Sequence, residues 1–185
     1  MKTAPKLSVL VALAALTIAG CSPEDNPVAP PAEAAPPAVE IRTPKSLIVR
    51  KIVVTGFDKN RPDGSTWDWD PLSAEARKPD IRVSLQRDGA LPAYVSDTRK
   101  NASYTGSYTF TQPASVHDGS LPHEIIRSRT YRIYLVDDDF GGDETMARAT
   151  IRLSSLYGKD NASGIDKTIS GSNGFRVRVI GDWVY

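Results

Sequence analysis

The sequence predicts an all-β domain, an antiparallel β-sandwich of eight strands, behind an extended tether rich in Pro and Ala. Three observations predict it. Apolar and polar residues alternate with period two in several segments, as they do in a strand with one buried face. These segments are short and are separated by Gly, Asn, Asp and Pro, the residues that turn a chain back on itself. A helical signal occurs only once, where Asp70-Pro71 precedes LSAEARK. There Asp70 suits an N-cap and Pro71 the first helical position.

The chain begins with a segment of another kind. Lys2 and Lys6 precede an apolar run from Leu7 to Ile18, and the small residues Ala19-Gly20 follow. This is the order of charge, apolar core and small residues found in an export signal. The run is shorter than the roughly 20 residues that span a bilayer. Ile18-Ala19-Gly20-Cys21 resembles the lipobox of bacterial lipoproteins, in which the cysteine after the cut receives lipid. Cys21 is the only cysteine of the 185 residues, so no disulfide forms within the chain. The resemblance implies a signal peptide at 1–20 and lipidation of Cys21, with the product anchored in the bacterial cell envelope and facing the periplasm. Several acyl chains hold a protein stably where one holds it marginally. Ser22, rather than Asp, after the cysteine implies the outer membrane.

Residues 21–44 carry the lipidated cysteine and then SPEDNPVAPPAEAAPPAVEIRTP. Without a periodic apolar pattern this stretch has too little to bury, and the expectation is a flexible tether. In polyproline form its reach is at most on the order of 70 Å.

Residues 45–185 are long enough for one domain with a proper core. Along them the strand candidates run in order. Leu47–Thr55 comes first. Ile81, Val83 and Leu85 then oppose Arg82, Ser84 and Gln86, and Pro92–Ser96 and Tyr104–Thr111 follow. Tyr131, Ile133 and Leu135 oppose Arg132 and Tyr134, and Ala149, Ile151 and Leu153 oppose Thr150 and Arg152. Phe175, Val177 and Val179 oppose Arg176 and Arg178. Gly171-Ser172-Asn173-Gly174 reads as the turn before the last strand. The formal charge of +1 becomes −1 once Lys2 and Lys6 are removed. Neither the charge nor any basic-aromatic stripe points to nucleic acid.

The residues most suited to chemistry are acidic and lie in two loops. Leu135-Val136 runs into Asp137-Asp138-Asp139, then Phe140-Gly141-Gly142-Asp143-Glu144. Residues two apart on a strand point the same way, so Asp137 and Asp139 are expected to converge, with Asp138 opposite. Gly141-Gly142 permits a sharp turn that returns Asp143 toward them. Carboxylates so close together repel unless a cation neutralises them, and an all-oxygen set suits Ca2+ better than Zn2+. The spacing is not that of an EF-hand, which needs other residues where Gly141 and Arg148 stand. The second loop holds Asp58, then Asp63-Gly64-Ser65-Thr66-Trp67-Asp68-Trp69-Asp70, and ends at Asp80.

Two segments, PDIRVSL at 79–85 and IYLVDDDFGGDETMARATIRL from Ile133, resemble the calcium-loop segments of C2 domains. The resemblance implies an eight-stranded sandwich with Ca2+ bound at one end by Asp80, Asp137, Asp139 and Asp143, and Asp58 or Asp68 as weaker candidates. It departs from the family pattern in a much longer first loop, a closer spacing of Asp139 to Asp143, and Ala147 in place of Gly. An acidic, solvated hairpin turn is the plainer reading of the same residues.

No nucleophile elbow, P-loop or dinucleotide fingerprint occurs. His117 and His123 fall in a Pro/Gly/Ser-rich stretch and read as surface loop residues. Trp67-Asp68-Trp69-Asp70 has the residue types of a sugar cleft, but one short motif does not make a glycosidase. The expectation is therefore a non-catalytic module whose partner, beyond the membrane holding Cys21, is an envelope protein, a lipid surface or a glycan. A calcium-independent carbohydrate- or protein-binding sandwich is the alternative.

Overall fold

The computed structural model describes residues 42–67, 78–115, 119–139, 142–158 and 163–185. Cys21, Asp68, Trp69, Asp70, His117, Phe140 and Gly141 lie outside them, as does nearly all of the helix expected after Asp70. Among the described residues no helix is long and apolar enough to cross a membrane.

Among the described residues, nine strands and one helical turn follow in order: β1 (Ser46–Gly56), β2 (Ile81–Arg87), β3 (Pro92–Val95), β4 (Tyr108–Phe110), β5 (His123–Ile126), β6 (Tyr131–Asp137), β7 (Glu144–Ile151), α1 (Leu153–Leu156), β8 (Ile165–Ser170) and β9 (Arg176–Val184). They form two antiparallel sheets, β4-β1-β9-β8 with β5 also on β1, and β3-β2-β6-β7. β9 pairs with β1 along its length, while β4 meets Ile52–Val54 and β5 meets Ser46–Val49. The two short strands therefore share the other edge of β1, and nine strands fill eight positions of an antiparallel sandwich.

Alternation explains the best-formed strands. In β6, Tyr131, Ile133, Leu135 and Asp137 are buried and the residues between them are not. In β9, Val177, Val179, Gly181 and Trp183 face inward. Their partners in the core include Leu47, Ile52 and Val54 of β1 and Ile81, Val83 and Leu85 of β2. Each such side chain contributes about 1.5–3 kcal/mol on burial.

The boundaries differ from the sequence reading at four places. The strand expected over Tyr104–Thr111 shrinks to Tyr108–Phe110, because Ser103 to Gly106 closes a turn and Tyr104 stands exposed. Leu153 does not extend β7; it opens α1 and is buried there with Leu156. His123 is not a loop residue. It lies on β5 opposite Val49, and its half-buried imidazole is pushed below its ordinary pKa by burial, with Glu124 opposing the shift. β8 is absent from the strands that alternation predicts, because only Ile165 is fully buried in it.

β7 contains a bulge where Ala147 pairs with Leu135 and Thr145 with Val136. The extra residue, Met146, puts two consecutive buried side chains on the strand. The β8–β9 turn reaches across to this strand in the opposite sheet. Asn173 Nδ2 donates to the Met146 carbonyl at 2.7 Å, the Ser172 amide donates to the Arg148 carbonyl at 3.0 Å, and the Arg148 amide donates to Ser172 Oγ at 3.1 Å. Asn173 holds φ near 49° and Gly174 near 62°, the left-handed backbone such a turn needs. The turn is thus a strut between the sheets.

Candidate functional site

The acidic residues gather where β6 ends, β7 begins and β2 starts. Register fixes this, since Ile81 pairs with Asp137 and Asp137 with Glu144. Asp137 is the last residue of β6 on its inward face and is wholly buried. Its Oδ1 accepts the Asp80 amide at 3.0 Å. One residue on, the Asp138 amide donates to the Asp80 carbonyl at 2.7 Å. The Asp80 carboxylate accepts the Asn101 amide at 2.7 Å, and Asn101 adopts φ near 52°. Asp80 therefore ties three segments together: its own strand entry, the end of β6 and the loop after β3.

Strand alternation stops at Asp137, so it does not govern Asp139. The Asp139 carbonyl accepts the Gly142 amide at 3.1 Å, closing a turn in which Gly142 takes φ near 130°. The turn carries Asp143 to Arg82. Arg82 pairs with the Asp143 carboxylate and lies 3.7 Å from Asp138 Oδ1, while Thr98 Oγ1 donates to the other oxygen of Asp138.

Two further arginines pair with acidic side chains near this cluster. Arg61 pairs with Glu144 at 2.5 Å and Arg99 with Asp97 at 2.8 Å. Arg61 also stacks 5.7 Å from the Trp67 ring and donates to the Trp67 carbonyl at 2.8 Å. Trp67 is almost fully buried, with its indole N–H on the Asp58 carbonyl at 3.0 Å. It is a core residue, and its ring does not line a sugar cleft.

Of the candidate ligands, Asp80 and Asp137 are joined directly, Asp143 is held by Arg82, and Asp139 contributes a turn carbonyl. The Asp58 carboxylate lies elsewhere, against Gly174 of the β8–β9 turn. Among the described residues, no three His, Cys, Asp or Glu side chains are grouped to hold a metal ion. The set is not arranged as a calcium site: Asp143 is paired with a guanidinium, and the Asp137 and Asp80 carboxylates each accept a backbone amide. Arg82 was visible in the sequence only as an outward strand residue. Its nearness to Asp80 was a usable signal, but its reach to Asp143 depends on the β2–β6 register.

Fold and site together define an antiparallel β-sandwich with an ion-paired acidic end. It is similar to a C2 domain that is 11% identical, covering 76% of this chain and 99% of that one with a TM-score of 0.41. It is also similar to the first C2 domain of plant extended synaptotagmin 1, 10% identical over 77% and 97% with a TM-score of 0.44. The calcium-bound pair of C2 domains of extended synaptotagmin 2 is 15% identical over 76% and 46%, at 0.38. No protein-family model and no curated protein matches the sequence.

Proposed function

We propose that the chain is a lipid-anchored protein of the bacterial envelope, held through Cys21 at the outer membrane and facing the periplasm. Its sandwich serves as a non-catalytic binding head that needs no calcium. The observation that carries the calcium-independent reading is Arg82 set between Asp138 and Asp143. A guanidinium supplied by the fold offsets charge on two of the acidic side chains without a metal ion. Lipid on Cys21 already supplies membrane attachment, so the head is free to engage a glycan or an envelope protein.

A second reading places Ca2+ at Asp80, Asp137, Asp139 and Asp143, with Asp58 or Asp68 added. The direct link between Asp80 and buried Asp137 favours it, since it brings the two loops to one end. Thermal melting separates the two. A ligand that binds only the folded state raises the melting temperature. The expected result is no shift between chelator and millimolar Ca2+, and a calcium-dependent rise only after Arg82→Gln releases both aspartates. A rise in the unaltered protein, lost in Asp137→Asn with Asp139→Asn, would establish the second reading. For the anchor, the protein should incorporate labelled fatty acid in a bacterial host, and Cys21→Ser should abolish it; labelling that persists would refute it.

A further inference from the structure

A second polar feature lies at the β8–β9 turn, away from the Arg82 pairs. A groove of about 410 Å3 is lined by Phe57, Asp58, Tyr104, Thr105, Arg176 and the glycines of the turn. Its two charged side chains are of opposite sign, and each lies along a glycine. The Asp58 carboxylate rests where a Cβ on Gly174 would stand, and the Arg176 guanidinium where a Cβ on Gly56 would stand. Among the described residues neither is engaged in an ion pair or side-chain hydrogen bond, unlike Arg82, Arg61 and Arg99. Tyr104 is 44% exposed at the rim, whereas Phe57 and Phe175 are buried in the wall of the groove.

We infer that this groove is a binding site for a neutral saccharide of one or two rings. The inference deepens the binding-head reading by naming its ligand class. The opposite charges of Asp58 and Arg176 largely offset one another, so the groove gives a free anion or a free cation little net attraction. A sugar hydroxyl is both donor and acceptor, and can donate to Asp58 while accepting from Arg176. Thr105 adds a hydroxyl. Tyr104 offers an apolar face with a polar tip. A concave site with an apolar wall and a few convergent polar groups is the usual form of a small-ligand pocket, and this volume is at the small end of the range.

Chemical-shift perturbation on the full-length chain in detergent micelles tests this, with maltohexaose, cellohexaose and chitohexaose as probes and diglycine and inorganic phosphate as controls. At least one oligosaccharide should move the resonances of Asp58, Tyr104 and Arg176. Tyr104→Ala and Asp58→Asn should each weaken binding by about tenfold without changing the melting temperature. A response to diglycine alone would assign the groove to a peptide, and a response to phosphate alone to an anion; either overturns the inference. So does silence with every sugar at ~10 mM, or binding indifferent to both substitutions. None of these outcomes bears on the calcium melts or on lipid labelling, so the inference can fail while the anchored, calcium-independent head stands.

Discussion

Asp137→Ala is expected to destabilise the domain by about 2–4 kcal/mol, against at most about 1 kcal/mol for Asp137→Asn. The carboxylate is wholly buried and its Oδ1 accepts the Asp80 amide. Alanine leaves that donor in the interior without its acceptor and opens a void beside it. Asparagine preserves an oxygen at the same place, so the contrast between the variants isolates the hydrogen bond from the charge. Urea unfolding measures both. Equal losses would show that the charge of Asp137, rather than its hydrogen bond, holds the loops together.

Gly181→Ala should cost about 2–3 kcal/mol, although it adds a single methyl group. Gly181 lies on β9 opposite Val49, beside the bulge at which the pairing skips Arg50. A Cβ there would overlap the Ile48 carbonyl oxygen and stand 3.0 Å from the carbonyl carbon. Backbone cannot swing aside as a long side chain can, so β1 and β9 must part at the centre of their sheet. Glycine within a strand commonly marks such a close approach. A melting temperature equal to that of the unaltered protein would show that the bulge absorbs the methyl group.

The strands that could be read from the sequence are those with a regular inward face. Ile81, Val83 and Leu85, Tyr131 to Leu135, and Val177 to Val179 each sit where alternation puts them. β5 escaped because it is four residues long with Ile125 as its only fully buried side chain. β8 escaped because it is an edge strand whose residues mostly face water. The acidic end was legible as composition but not as geometry. Alternation ends with β6 at Asp137 and says nothing of where Asp139 points. Arg82 gave no sign of its partners, because an ion pair 61 residues apart is set by register.

The pairing of β1 with β9 bears on the order in which the molecule can assemble. Among the described residues β1 and β9, the first and last strands, are neighbours at the centre of one sheet, and the turn just before β9 braces the opposite sheet through Asn173 and Ser172. Contacts this distant in the chain pay their loop-closure entropy before they gain anything in return. A chain ending short of Arg176 lacks β9, and its first sheet is then reduced to β1 with the short strands β4 and β5. The pairing of β1 with β9 is therefore expected to form after the local pairings of β2 with β3 and of β6 with β7, which close much shorter loops.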